Sequence, residues 1–243
     1  MKVFLNEAGL RGSIRDSRNR LCRWWRRNTV TADFHSLKPA SRSFGVDRGT
    51  VIDRHYIESF LSEYSADIRG RVLEVADNNY TLKFGGDKVT KSDVLHIAAD
   101  DSQATIVGDL ATGGGIPKTA FECMIVTQTF QMIYDVHAAV RNAYAALKPG
   151  GVLLATLPGI SQVSRYDMDR WGDYWRFTDA SVKRLFGDVF GPENVAVKAY
   201  GNVLTACAFL HGAAAEELKK EELDYCDPDY QVLVTVRAVK PSK

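Results

Sequence analysis

Short apolar segments alternate with polar and helix-forming stretches between residues 71 and 157, and this alternation restricts the fold more than any other feature of the chain. Each apolar segment has the length of a buried strand; the segments cover residues 71–76, 89–95, 104–107, 121–127 and 152–157. Strands that alternate with helices predict a parallel sheet with helices on both faces.

Apolar residues with helical spacing flank these strands. Asp53 precedes one such set, which predicts a helix that begins near this residue; the set is Ile57, Phe60, Leu61 and Tyr64. Residues 133–147 predict a helix that the turn at residues 148–151 (KPGG) ends, because Gly suits the left-handed cap and Pro cannot continue a helix. Residues 179–190 predict another helix.

The last part of the chain predicts two edge strands and an insertion. Residues 194–200 and 231–239 alternate between apolar and polar side chains, as strands near the edge of a sheet do. Residues 203–222 between them predict a helical insertion, which we expect to roof the ligand crevice of the sheet.

Charge divides the chain into two parts. Residues 1–40 hold nine Lys or Arg against three Asp or Glu, whereas the remainder holds 22 against 27. We therefore predict a basic N-terminal arm at residues 1–45 and a domain at residues 46–243. Two interpretations of the arm stay open: peripheral contact with an acidic membrane or nucleic-acid backbone, or packing of Trp24 and Trp25 on the domain. Packing is the default for a surface helix, so we expect no nucleic-acid partner.

The cysteines and the hydropathy pattern indicate the compartment. The four cysteines form neither a CxxC pair nor a cluster with His, so we expect reduced thiols and no bound metal. No apolar run is long enough to span a membrane, and the N-terminus lacks the apolar core of a signal peptide. These features predict a cytoplasmic protein.

Polar residues follow the predicted strands at the edge where a parallel sheet forms its ligand crevice. Glu74, Ala76, Asp77 and Asn78 lie at the end of the first strand. Asp93 and Val94 lie near the end of the second, where an acid suits the hydroxyls of a ribose. The third and fourth strands lead to similar positions, namely Gly108, Asp109, Thr127 and Gln128.

In this order, the residues resemble the class I S-adenosylmethionine-dependent methyltransferases, particularly the type 11 branch of glycan and natural-product pathways. The resemblance covers residues 71–157 and rests on Glu74, Asp93, Asp109, Phe121-Glu122 and the LKPGG turn at residues 147–151. It implies a Rossmann-like α/β fold whose seven-stranded sheet is mostly parallel, with helices on both faces and an antiparallel last strand. It also implies S-adenosyl-L-methionine as the cofactor, bound by the strand-end residues named above.

One departure from the family pattern concerns the cofactor loop. The pattern E-x-G-x-G-x-G would place glycines at the positions of Ala76, Asn78 and Tyr80. Glycine there permits tight turning and close approach of a ligand. Two outcomes stay open: the loop takes another route with the help of Gly85 and Gly86, or cofactor binding is weakened or lost.

Two further segments have the composition of a substrate site. The first of these segments, residues 43–56, precedes the first core helix. Its polar side chains either line the site or form ion pairs; they are Asp47, Arg48, Asp53, Arg54 and Tyr56. Residues 166–178 combine aromatic rings with carboxylates and guanidiniums, a composition that suits a sugar ring. Its predicted substrate-binding residues are Tyr166, Trp171, Trp175 and Arg176, together with Arg54 and Tyr56 of the earlier segment.

These features predict methyl transfer to a small polar or sugar-containing acceptor. Transfer to a hydroxyl requires a general base, and we select Asp167, Asp173 and Tyr174, with Asp169 a further candidate and His137 and His211 less favoured. Two alternatives stay open: a non-catalytic Rossmann-like binding module that has lost its cofactor, and a nucleotide-sugar oxidoreductase.

Overall fold

A seven-stranded sheet organises the protein, whose computed structural model describes residues 36–98 and 102–242. The strands are β1 (Gly70–Val75), β2 (Val89–His96), β3 (Ile106–Val107), β4 (Phe121–Thr127), β5 (Leu147–Pro158), β6 (Val195–Tyr200) and β7 (Leu233–Val239). Their order is β3-β2-β1-β4-β5-β7-β6. β7 pairs antiparallel with β5 and β6, and the other pairs are parallel. The predicted α/β fold is therefore confirmed.

Helices cover both faces of this sheet. The α-helices of the described residues are α1 (Ile52–Glu63), α2 (Val136–Ala146), α3 (Arg165–Met168), α4 (Asp179–Phe190), α5 (Val203–Leu210) and α6 (Lys220–Asp224). Successive residues of a strand point to opposite faces. Leu73 accordingly packs in the core with α2 and α4, whereas Val72 packs in the core with α1 and α5.

Helix α2 shows why this part of the sequence was predictable. Its apolar residues at helical spacing are buried; they are Val136, Ala139, Val140 and Ala143. The helix begins three residues later than position 133, because Asp135 caps it by accepting a hydrogen bond from the Ala138 N–H (2.9 Å). It ends at Ala146, and the turn that follows belongs to the start of β5, where Gly150 has φ +75°.

The packed domain begins before position 46. The N–H groups of Ala40 and Ser41 donate to the carbonyl of His211 at 2.8 and 3.2 Å. The buried Ser41 hydroxyl also accepts hydrogen bonds from the N–H groups of Ser43 and Gly45 (3.0 and 3.2 Å). The segment just before residue 46 is therefore part of the domain, and the basic stretch with Trp24 and Trp25 lies outside the described residues.

The insertion after β6 is helical but does not roof a crevice. It contains α5, a 3-10 turn at Ala215–Glu217 and α6. Glu217 accepts two hydrogen bonds from the Arg48 guanidinium, both at 2.8 Å, and the Tyr56 hydroxyl donates to the Leu223 carbonyl at 3.0 Å. The insertion therefore packs beside α1, and the roofing prediction is wrong.

The helices within residues 36–98 and 102–242 include none with the length and apolar character of a membrane span.

Candidate active site

A cleft of about 1280 Å³ lies at the carboxyl ends of the parallel strands. β1 and β4 are neighbours there, and the chain order runs away from them in opposite directions, so the cleft occupies the switch point of the sheet. Single drug-sized ligands occupy pockets of about 300–1,000 Å³, so this cleft has room for a cofactor and an acceptor together.

The buried Glu74 side chain holds the loop after β1 in place through hydrogen bonds. Its side chain is only 2% exposed although it borders the cleft. It accepts hydrogen bonds from the Thr81 N–H and hydroxyl, both at 2.7 Å, and from the Tyr80 N–H at 3.1 Å. These hydrogen bonds favour the ionised form and lower the pKa of Glu74. Burial has the larger effect and raises this pKa to about 7.

The loop after β1 keeps a glycine-like backbone without glycine. Ala76 has φ +75°, a left-handed conformation, and its N–H donates to the Leu95 carbonyl at 3.0 Å. Asp77 borders the cleft, and its carboxylate accepts from the Asn79 N–H at 2.9 Å. The Asn78 side chain instead donates to the Ser92 hydroxyl at 3.2 Å, outside the lining of the cleft, which corrects its prediction as a cofactor residue.

Tyr80 occupies the third glycine position and also lines the cleft. Its ring stacks on Phe84 with 6.2 Å between centroids, and burial raises the pKa of its hydroxyl to about 12. The π-helical turn Thr81–Gly85 follows directly. A bulky side chain at this position therefore packs beside the loop and forms part of the wall.

The prediction of Asp93 and Val94 as cofactor residues is wrong. β2 continues to His96, so Asp93 lies within the strand, opposite Leu73, and is 2% exposed. Burial alone would raise the pKa of Asp93, but hydrogen bonds from Arg71 (2.7 Å) and the charge of Lys91 lower it. Val94 is buried as well, and neither side chain lines the cleft. The residues at the strand's end are Leu95, His96 and Ile97.

The ends of β3 and β4 do line the cleft as predicted. Asp109 accepts from the Ala111 N–H at 2.8 Å, and a Cβ at Gly108 would lie 2.8 Å from the Gly114 carbonyl, so only glycine fits there. Thr127 and Gln128 border the cleft beside β1. Gln128 has φ +47°, and its N–H donates to the Thr156 carbonyl at 3.0 Å, which turns the chain across the top of β5.

Two of the five residues predicted in the segment 43–56 line the cleft. Asp53 and Arg54, in the first turn of α1, line the cleft. Asp53 is half-buried, and its burial raises its pKa to about 6. Tyr56 is 2% exposed within the core, so its prediction as a substrate-binding residue is wrong. Asp47 and Arg48 also lie outside the cleft, where Arg48 pairs with Glu217.

The segment after β5 is held in shape by an ion pair. The Arg176 guanidinium donates to both carboxylate oxygens of Asp173 (2.5 and 2.9 Å) and to the carbonyls of Gln162 and Trp175 (2.7 and 2.8 Å). The Ser164 N–H donates to Asp173 at 3.1 Å. Although burial opposes it, these hydrogen bonds lower the pKa of Asp173. Both residues line the cleft, and Asp173 serves to position the segment.

Aromatic rings border the outer part of the cleft. Tyr166, Trp171 and Tyr174 line it and remain 61%, 38% and 51% exposed. The Arg170 guanidinium lies 3.6 Å from the centre of the Tyr166 ring. The Trp175 indole donates to the Ile133 carbonyl at 3.1 Å instead, and its side chain is outside the lining, contrary to the prediction.

Asp167 differs from the other acids of this segment. Its side chain is half-buried and borders the cleft, and no described residue forms a hydrogen bond or ion pair with its carboxylate. Asp169 points away and pairs with Arg165 at 3.4 Å. His137 and His211 do not border the cleft. Asp167 is therefore the predicted base whose carboxylate is available to a ligand.

Sequence reasoning missed several residues between β4 and α2. Gln131, Met132, Ile133 and Tyr134 all line the cleft. They lie between Gln128 and the helix cap Asp135, so their place in the connection after this strand end is the sequence signal that could have identified them. Among the described residues, no group of three or more His, Cys, Asp or Glu side chains is arranged to hold a metal ion.

Proteins of known fold resemble this chain over most of its length. A family model described as a methyltransferase domain matches residues 42–187, which is more than half of the chain. An S-adenosylmethionine-dependent methyltransferase from Archaeoglobus fulgidus is similar in structure, with a TM-score of 0.51 and 11% identity over 77% of this chain and 94% of that one. No curated protein matches the sequence.

Two further solved structures share the fold. The [4+2]-cyclase SpnF has a TM-score of 0.52 and 14% identity over 89% of this chain and 91% of that one. An N-methyltransferase from Haemonchus contortus, in complex with phosphomonomethylethanolamine and S-adenosylhomocysteine, has a TM-score of 0.50 and 14% identity over 77% and 52%. The same fold thus carries different reactions, so the reaction has to be argued from the cleft.

Proposed function

Because this chain belongs to the methyltransferase domain family, we propose that it is an S-adenosylmethionine-dependent O-methyltransferase that acts on a sugar or a glycosylated small molecule. One observation carries the proposal: a cleft joins the acidic ends of the parallel strands to an aromatic segment in which no described residue pairs with the Asp167 carboxylate. The first part suits a cationic cofactor, and the second suits a hydroxyl acceptor.

The strand-end residues fit the cofactor. Glu74, Asp77 and Asp109 border this part of the cleft, and carboxylates suit a ligand that carries a sulfonium and an ammonium group. Ala76 stands at the first glycine position of the family pattern and has a left-handed backbone, which glycine adopts readily, so its methyl group does not divert the chain there. This backbone favours retention of cofactor binding over the alternative of a module that has lost it.

In methyl transfer the bound cofactor supplies an electrophilic methyl group. The protein orients the acceptor and excludes water from the reacting atoms. Asp167 accepts the proton of the acceptor hydroxyl, a role that a carboxylate free of ion pairs can perform and that Asp173, bound on both oxygens by Arg176, cannot.

The acceptor half supports a sugar ring. Exposed faces of Tyr166, Trp171 and Tyr174 offer flat apolar surface, and the polar edges of the segment offer hydrogen-bond partners to hydroxyl groups. Arg176 and Asp173 keep these rings in place because they tie the segment's two ends together. A planar or ring-shaped polar acceptor fits this arrangement better than an extended apolar one.

Calorimetric titration with S-adenosylmethionine and S-adenosylhomocysteine tests the cofactor half, with Asp109→Ala as the site variant and the exposed Asp229→Ala as control. We expect binding that Asp109→Ala weakens about tenfold. Methyl transfer from labelled cofactor to UDP-glucose and methyl β-D-glucopyranoside tests the acceptor half. The absence of any heat of binding at millimolar ligand would favour a non-catalytic module.

A further inference from the structure

Gln131 borders the cleft, and its side chain belongs neither to the proposed cofactor contacts nor to the proposed acceptor contacts. It lies in the 3-10 turn Phe130–Met132 between β4 and α2, borders the cleft and is 8% exposed. Its Nε2 group donates to the Gln128 carbonyl at 2.8 Å and lies 3.4 Å from the Gln128 Oε1. Since the Gln128 main-chain carbonyl can only accept a hydrogen bond, the nitrogen of the Gln131 amide must be on that side, and the orientation of the side chain is determined.

The other branch of this amide has no partner in the part of the chain that the structure describes. Gln131 Oε1 is the buried side-chain polar atom, among those of residues 36–98 and 102–242, that accepts no hydrogen bond. The other buried side-chain amide of the described residues is paired: Asn202 accepts from the Thr205 N–H and donates to the carbonyls of Glu222 and Tyr225. An unpaired buried acceptor is costly, so its retention in a cleft wall indicates a donor that a ligand brings.

The main chain around Gln131 is attached to the acceptor half of the cleft. The Gln131 carbonyl accepts from the Tyr174 N–H at 2.8 Å, and the nearby Ile133 carbonyl accepts from the Trp175 indole at 3.1 Å. These bonds use backbone atoms of the turn. A change of the Gln131 side chain therefore leaves this attachment intact.

We propose that Gln131 is a specificity-determining residue whose Oε1 accepts a hydrogen bond from a hydroxyl group of the acceptor. This inference rests on the proposed methyltransferase function. It implies that the acceptor carries a hydrogen-bond donor at this point of the ring. An ether, a carboxylate or a phosphate oxygen at the same point would face another acceptor atom and is disfavoured.

The test compares two glutamines that differ in hydrogen bonding. Gln131→Met removes the unpaired oxygen at nearly constant volume. Gln231→Met is the matched control, because the Gln231 amide is paired on both branches: Oε1 accepts from the Asp179 N–H at 2.8 Å, and Nε2 donates to Asp179 Oδ1 at 2.9 Å. Gln231 does not line the cleft.

The readouts are the affinity for S-adenosylhomocysteine, kcat/KM for UDP-glucose and methyl β-D-glucopyranoside, and the melting temperature. For Gln131→Met we expect unchanged affinity for S-adenosylhomocysteine and kcat/KM about tenfold lower. The melting temperature should stay near that of the wild type, because removal of the unpaired oxygen offsets the lost Nε2 hydrogen bond to the Gln128 carbonyl. Gln231→Met should lower the melting temperature and leave kcat/KM unchanged.

A readout without turnover covers acceptors that bind but react slowly. The side-chain amide signals of Gln131 are followed by NMR while either probe is added to the protein saturated with S-adenosylhomocysteine. A shift of these signals that Gln231 does not share supports the proposal. It is overturned if neither probe shifts them, or if Gln131→Met weakens binding of S-adenosylhomocysteine, because the donor would then belong to the cofactor. Failure of the wild type to bind S-adenosylhomocysteine would instead reject the proposed function.

Discussion

Glu74 and Thr81 are joined by two hydrogen bonds to one carboxylate oxygen, from the N–H and from the hydroxyl of Thr81, both 2.7 Å long. The contact connects the end of β1 to the first residue of the π-helical turn at Thr81–Gly85. It closes the loop that carries Ala76 and Asp77 along the cleft. The route of this loop therefore depends on a buried acid, where the family pattern depends on three glycines.

Burial of this acid predicts a pH dependence of stability. The pKa of Glu74 is about 7 in the folded protein against 4.5 for an ordinary Glu, so the folded state holds the proton more tightly. The contribution of Glu74 to the free energy of unfolding should then be largest below pH 4.5 and fall by about 3 kcal/mol as the pH rises to 7, whereas Asp93 and Asp173, whose pKa values are lowered, act in the opposite direction at low pH. Urea denaturation across this range measures it.

The same pH series in variants separates Glu74 from its neighbour Asp53, whose raised pKa acts in the same direction. Glu74→Gln should be less stable at low pH, because its amide presents a donor to the Tyr80 N–H, and its profile should be flatter. Asp53→Asn should retain most of the slope between pH 6 and 7. An unchanged slope in Glu74→Gln would contradict the assignment.

The backbone at Ala76 predicts a stabilising substitution. A left-handed conformation costs a residue with a Cβ roughly 1–2 kcal/mol, so Ala76→Gly should raise the free energy of unfolding by about 1 kcal/mol after the loss of chain entropy. The same substitution in helix α2, Ala138→Gly, should lower it by about 0.5–1 kcal/mol. Thermal and urea denaturation of both variants decide, and equal destabilisation would refute the argument.

The ion pair between Asp173 and Arg176, in the segment after β5, predicts that its removal lowers both stability and acceptor binding. Arg176→Ala leaves the buried Asp173 carboxylate without its cation, which should cost about 3 kcal/mol. KM for the acceptor should rise while affinity for S-adenosylhomocysteine stays the same, because the strand ends are untouched. Arg184→Ala, which removes an exposed i,i+4 pair with Asp188, is the control and should change neither.

The Asp167 carboxylate, with which no residue of the described ranges pairs, predicts a selective loss of turnover. Asp167→Asn keeps the size of the side chain but removes the proton acceptor, so kcat should fall by about a hundredfold to ten-thousandfold. Affinity for S-adenosylhomocysteine should not change. Asp169→Asn removes a carboxylate of the same segment that faces away from the cleft, and its kcat should match the wild type. A wild-type kcat in Asp167→Asn would exclude it as the base.

Local sequence patterns predicted most strands and helices in their order and a parallel sheet with helices on both faces, because buried strands are apolar on both faces and α2 has its apolar residues at helical spacing. The number of strands and the antiparallel last strand followed only from the family resemblance. Residues immediately after a strand, such as Asp77, Asp109 and Gln128, were also placed correctly, because every parallel strand delivers its carboxyl end to the same edge.

Which polar side chains face the cleft depends on packing between distant parts of the chain. Asp93 looked like the acid that ends β2, but the strand runs on to His96, and the Arg71 side chain, supplied by the neighbouring strand, pairs with Asp93. Tyr56 shares a helix with Arg54 yet points to the opposite side, into the core. Strand length and helix rotation fix such directions, and both follow from packing between elements that are distant in the sequence, which local patterns do not contain.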